Sequence, residues 1–214
     1  MRGSARFFVR CMQKNELERT VEVISSMRLF FALWPPEKLA EKLSVQADWL
    51  AKFNGGRATR RETIHLTLAF LGEVEPDHLG TVMEAARRVQ MPAFELSIDR
   101  LGHWRHNRLF WAGCHCPVPE LEALARVLHV NLRKASIFYD ESHGFSPHLT
   151  LVRKTDNASI PRWNPLDYES QKPMRWKCDH FVLVRSSPDS GGMAYSRLAE
   201  FPLIASKSVN EAEQ

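Results

Sequence analysis

The sequence predicts an α+β fold built as two pseudo-symmetric lobes, and three observations carry that prediction. The tetrapeptide His-Leu-Thr-Leu occurs twice, at His65-Leu66-Thr67-Leu68 and His148-Leu149-Thr150-Leu151, each time inside a segment patterned as a strand. The order of strands and helices in the first half resembles that in the second. The helices fall between strands suited to antiparallel pairing, not in a regular βαβ repeat.

The fold is expected to open at Met27, because residues 28–34 form an apolar strand that Pro35-Pro36 stops. Glu37 to Lys52 has helical spacing, with Leu39, Leu43, Ala47 and Leu50 on one face. Asn54-Gly55-Gly56 breaks it, and after Arg57, Arg60 and Arg61 comes the first motif strand, about 63–71, closed by Gly72. Pro76 starts a second helix of about 77–90, with Leu79, Val82, Met83 and Ala86 as its apolar stripe. Residues 94–101 and 109–114 alternate around a polar turn at His106-Asn107 and predict a hairpin. A third helix covers 119–134, with Leu121, Leu124, Ala125, Leu128 and Leu132 inward, and Pro147 leads into the second motif strand at about 148–154. A proline-bearing loop at 161–173 follows, and 176–184 and 194–203 read as two strands joined by a Ser/Gly-rich turn. Residues 1–26 are expected to be a disordered arm or an upstream start, 27–206 the folded domain, and 207–214 a polar tail.

Composition places the chain among ordinary globular proteins, with 44% hydrophobic and 25% charged residues in 214. A formal charge of +4 and a pI near 9.0 mildly favour an anionic ligand such as phosphate or RNA. The four cysteines, Cys11, Cys114, Cys116 and Cys178, show no disulfide framework, so a reducing, cytoplasmic compartment is expected. No segment has the apolar length of a membrane span.

The repeat carries the chemistry. Side chains alternate along a strand, so His65 and Thr67 share one face while Leu66 and Leu68 anchor the other, and His148 and Thr150 do the same. Two imidazoles brought together from separate strands can act as general acid and general base near neutrality, and such a pair moves protons without a metal. A lone strand histidine is more often structural, and threonine is a common strand former, but the identical His-to-Thr offset in both copies favours a joint role.

Ile64-His65-Leu66-Thr67-Leu68-Ala69-Phe70-Leu71-Gly72 and Phe145-Ser146-Pro147-His148-Leu149-Thr150-Leu151-Val152-Arg153, preceded by the Arg28-to-Trp34 strand, resemble the two-histidine phosphoesterase superfamily. Within it the bacterial RNA 2′,3′-cyclic phosphodiesterase family, also called 2′-5′ RNA ligases, is most similar. The resemblance implies a bilobal fold with one motif from each lobe facing a central cleft. It implies opening of RNA 2′,3′-cyclic phosphate ends to 2′-phosphates, and it admits a weak reversible 2′-5′ ligation. It makes His65 the proton donor and His148 the acceptor, with Thr67 and Thr150 as phosphate-binding hydroxyls. Arg153 is the matching cation, although five residues from His148 it falls on the opposite pleat of a regular strand.

Other residues yield to blander readings. Cys114-His115-Cys116 alternates along an extended segment and makes a poor metal cluster, so no metal or cofactor is expected. His103, His106, His129, His143 and His180 read as surface or structural residues. Phe31, Trp104, Trp111 and Phe145 can stack a terminal base, with core packing the default. The rival functions are an RNA-end-binding module without turnover and a phosphodiesterase for another cyclic nucleotide. The partner expected is RNA ending in a 2′,3′-cyclic phosphate, and the protein is expected to be a monomer without a membrane contact.

Overall fold

A computed structural model describes residues 26–142, 144–156, 172–190 and 192–205. The expected leading arm, the polar tail, His143 and the proline-bearing loop through residue 171 lie outside them. One antiparallel sheet dominates, in the order β10-β9-β1-β3-β7-β6-β5. Its strands are β1 (Met27–Leu33), β3 (Leu66–Val74), β5 (Arg100–Trp104), β6 (Leu109–Gly113), β7 (Leu149–Arg153), β9 (His180–Asp189) and β10 (Gly192–Pro202), and the short β2 (Arg57–Ala58) pairs with β7. The helices are α1 (Glu37–Asn54), α2 (Leu79–Arg87) and α3 (Pro119–Lys134). The expected helix at 77–90 begins as a 3₁₀ turn at Pro76–His78 before α2.

Within the sheet the two lobes are joined at one residue pair. β10, β9, β1 and β3 form the first, and β7, β6, β5 and β2 the second, and β3 joins β7 only at Leu66↔Leu149. Those two leucines are fully buried, as are Leu29, Phe31 and Leu33 of β1, and all face the main core beneath the helices. The other face of β1 and β9 buries Phe30, Ala32, Val182 and Val184 against Trp34, Phe70 and Tyr195. Burial on both faces explains why β1 is apolar throughout instead of alternating. The helices are crossed: α1 follows β1 but packs beneath β7 and β2, and α3 follows β6 but packs beneath β3.

Two expected strands are split. Residues 94–101 divide at Asp99 into β4 (Phe94–Ile98) and β5, and 176–184 divides at Asp179 into β8 (Met174–Cys178) and β9. β4 and β8 pair with each other in a separate two-stranded ribbon, so the hairpin partner of β6 is β5 alone. Each aspartate stands where the chain steps from ribbon to main sheet. Asp99 Oδ1 accepts the His115 amide at 2.7 Å, and the Asp179 carbonyl accepts the Leu203 amide at 2.7 Å.

Candidate active site

The Leu66↔Leu149 pair centres the site. Extending its antiparallel register by one residue in each direction sets His65 opposite Thr150 and Thr67 opposite His148. Directly opposed residues share a face. The leucines point to the core, so the two histidines and two threonines form a checkerboard on the opposite face. His65, Thr67, Thr150 and Arg153 line one cleft of about 640 Å³ together with Arg57 and Tyr195. His148 is not part of that wall, yet it is close enough for its charge to act on His65.

Both motif strands bulge at the same place. Between Thr67 and Ala69, β3 advances two residues while β1 advances one, so Leu68 is the extra residue. Between Thr150 and Val152, β7 does the same against β6, so Leu151 is extra. A bulge turns the following side chains over and leaves the extra residue without its ladder partner. That rotation brings Arg153, and Phe70 at the matching place in the first motif, round to the cleft. The opposite-pleat placement of Arg153 holds only for an unbroken strand and is overturned here. Arg153 Nη2 lies 3.4 Å from Thr150 Oγ1. The bulge carbonyls find partners elsewhere: Leu151 O accepts the Thr59 amide at 2.7 Å, and Leu68 O is 2.8 Å from His129 Nε2 on α3. His129, expected to be structural, thus holds the backbone beside the first motif.

Each catalytic candidate is oriented in the same way. His65 Nδ1 is 2.7 Å from Thr63 O, and His148 Nδ1 is 2.8 Å from Ser146 O. A carbonyl only accepts, so Nδ1 carries the proton in both rings, and in the neutral rings Nε2 is left as an acceptor. A tryptophan flanks each ring. Trp34 stacks on His65 at 5.4 Å and 13°, with Phe30 at 4.8 Å and Tyr195 at 5.3 Å completing an aromatic enclosure. Trp104 meets His148 edge-on at 4.6 Å, and Trp111 packs behind Trp104 at 5.4 Å. Gly102 admits that indole, because a Cβ there would collide with Trp111. Of the aromatics singled out in the sequence, Phe31 is core and Phe145 packs against it, whereas Trp104 and Trp111 support His148. Phe30, Trp34 and Tyr195 were missed. The period-2 placement of Phe30, Ala32 and Trp34 on one face of β1 is the pattern that identifies two of them.

Burial depresses both imidazoles, and His65 more. Its enclosure lowers it from 6.5 to about 4, opposed by the Thr63 carbonyl and assisted by the charges of Arg153 and His148. His148 is lowered in the same direction by burial and by Arg153, against the Ser146 carbonyl. The folded protein therefore favours neutral His65 while the unfolded chain titrates near 6.5. Between those values the unfolded state binds more protons, so this contribution to stability is complete above about 6.5 and is lost as pH falls towards about 4. We expect the urea midpoint of the native protein to fall more between pH 7 and pH 5 than that of His65→Phe. Equal losses would show that His65 is not held neutral by the fold.

Among the described residues, no three His, Cys, Asp or Glu side chains converge to hold a metal ion. Cys114 is half-buried at the end of β6, and Cys116 is exposed. Arg61 turns away from the cleft to Glu37, 3.7 Å distant. Arg60 Nη2 donates to Met193 O at 2.6 Å, tying the segment after β2 to the start of β10. No helix among the described residues is long and apolar enough to cross a membrane.

The chain is similar to known proteins in both sequence and structure. The RNA 2′,3′-cyclic phosphodiesterase of Escherichia coli (strain K12) is 34% identical over 138 residues, 63% of this chain and 76% of the relative. That of Thermus thermophilus is 28% identical over 87% of this chain and 96% of its own. In structure, E. coli LigT complexed with 3′-AMP aligns with a TM-score of 0.70 and 30% identity, covering 83% of this chain and 98% of LigT. TT0787 of Thermus thermophilus aligns with a TM-score of 0.69 and 27% identity, over 84% and 99%. The model of the 2′-5′ RNA ligase superfamily matches residues 35–190, a span that holds both motifs and their bulges, and with that match the chain belongs to the 2′-5′ RNA ligase superfamily.

Proposed function

We propose that this chain hydrolyses the 2′,3′-cyclic phosphate ends of RNA to 2′-phosphomonoesters, with His65 and His148 as the acid and base pair. The single observation that carries the reading is that the Leu66↔Leu149 pair joins the two motifs, so that His65, Thr67, Thr150 and Arg153 line one cleft with His148 close enough for its charge to act on His65. Water attacks phosphorus and gives its proton to His148 Nε2, while His65 Nε2 gives a proton to the departing 3′ oxygen. Thr67 and Thr150 donate to the non-bridging oxygens, and Arg153 offsets the charge that gathers on them. We place the domain that does this at residues 27–206, acting as a monomer in the cytoplasm. Its support is the opening of β1 at Met27 and the family relationship.

Burial favours neutral His65 in the resting protein, and with the proton on Nδ1 facing Thr63 O its Nε2 then has none to give. The dianionic character of the transition state and the anion of the bound substrate favour imidazolium and raise it. In the free protein the lower limb of kcat/KM then reports chiefly His65 and the upper limb chiefly His148, inverting the order expected from the roles alone. Both limbs belong to the coupled pair. The upper limb of kcat is expected above that of kcat/KM, because kcat reads the complex in which phosphate stabilises the charged rings. Coincident upper limbs would mean that the substrate does not recharge the pair.

The direct test is an oligoribonucleotide ending in a 2′,3′-cyclic phosphate, incubated in EDTA. Formation of the 2′-phosphomonoester is expected. A 3′-phosphate product, or activity that returns only with an added metal, would overturn the metal-free in-line reading.

A further inference from the structure

The cleft holds more positive charge than one phosphate requires. Arg28, Arg57, Arg60 and Arg153 line it, and among the described residues no carboxylate does. Arg60 is engaged by the Met193 carbonyl and lies 3.9 Å from Asp189, and the Arg28 guanidinium rests 4.9 Å over Phe70. Arg153 reaches Thr150 and acts on both imidazoles. Arg57 has no such engagement. Its side chain makes no ion pair or hydrogen bond among the described residues, although it stands opposite Arg153 in the Arg57↔Arg153 pair of β2 and β7. Like charges placed directly opposite on an antiparallel pair repel each other.

The two guanidinium groups diverge. That of Arg153 turns to the motif threonine, whereas that of Arg57 lies against Gly192, where a Cβ would be 3.3 Å from Nη2. Gly192, the first residue of β10, has φ of 134°, so the start of that strand is kept free of a side chain on the side that Arg57 occupies. The first position serves the reacting phosphate. The second is a separate cationic station on the same cleft wall, at the rim of the opposite lobe. A nucleotide chain carries its next phosphate on the 5′ side of the terminal ribose, and that is the anion available to a second station.

Resting on the function proposed above, we infer that Arg57 is an anion subsite for the 5′-phosphate of the terminal nucleotide, and so makes the protein select chain ends over cyclic mononucleosides. The guanidinium donates in a fixed fork that suits phosphate oxygens and needs no deprotonation step. Because the contact is made before and during the reaction alike, its removal should act mainly through KM.

The test compares adenosine 2′,3′-cyclic phosphate, the same compound carrying a 5′-phosphate, and a diadenylate ending in a 2′,3′-cyclic phosphate. The native protein is expected to favour the last two in kcat/KM. Arg57→Gln should reduce that preference about tenfold, as expected for a lost hydrogen bond to a charged group, and Arg57→Lys should restore part of it. A preference unchanged by Arg57→Gln, or an equal loss on all three substrates, would overturn the subsite. Calorimetric binding of adenosine 2′-phosphate against adenosine 2′,5′-bisphosphate reads the same station without turnover. If the native protein hydrolyses none of the three, the proposed activity fails, while a bisphosphate preference that depends on Arg57 still supports the subsite and its absence still defeats it.

Discussion

His65→Ala and His148→Ala are each expected to slow cyclic-phosphate hydrolysis by about 10² to 10⁴, the usual contribution of a positioned acid or base. Neither ring anchors the core, since the leucines beside them do that. His65→Ala does open space among Phe30, Trp34 and Tyr195, so His65→Asn is the companion variant, its amide able to reach the Thr63 carbonyl. A substrate whose leaving group is acidic enough to depart unprotonated separates the roles. Loss of the donor is then largely rescued and loss of the acceptor is not. Rescue of His148→Ala but not His65→Ala would establish the exchanged assignment, and near-normal rates in either folded variant would remove the pair from the chemistry. The double variant should be little worse than the poorer single one, because residues acting as a unit do not contribute independently.

Thr150→Val is the second large effect, expected at about 10² to 10³ in kcat, the range seen when one donor to a developing oxyanion is removed. Valine keeps the branched shape, and Thr150 is buried on β7 opposite Trp111 of β6, so secondary structure is retained. The change also frees Arg153 Nη2 from its contact at 3.4 Å. For that reason Thr150→Val should cost more than Thr67→Val, whose bulged strand presents Phe70 where Arg153 stands in the other lobe. Equal losses would mean that Arg153 is positioned without Thr150. An unchanged kcat with a lower melting temperature would make Thr150 a packing residue.

Much of the site is legible in the residues, because a period of two is a local property: His65 with Thr67, and His148 with Thr150, share faces whatever surrounds them. The helices are equally local, and α3 spans 119–134 as its apolar stripe predicts. Arg153 is different. Its side depends on a bulge defined by the register of β7 against β6, a strand some forty positions away in the chain, and no short window contains that information. Asp99 and Asp179 interrupt patterns that alternate without a break, so the ribbon of β4 and β8 emerges only from pairing between distant segments. The enclosure of His65 by Tyr195 has the same cause, since β10 approaches β1 only by way of β9.

The crossed helices make the duplication indivisible. A gene fragment ending after β3 would encode α1 without the β7 it covers, and the remaining fragment would encode α3 without β3. Each half would expose the apolar stripe of a helix whose partner strand lies on the other half, so neither is a module that can fold, be exchanged or be shuffled by recombination. Mixed together, the halves have complementary unfilled faces, and the prospect they offer is a split reporter in which both histidines appear only on reassembly.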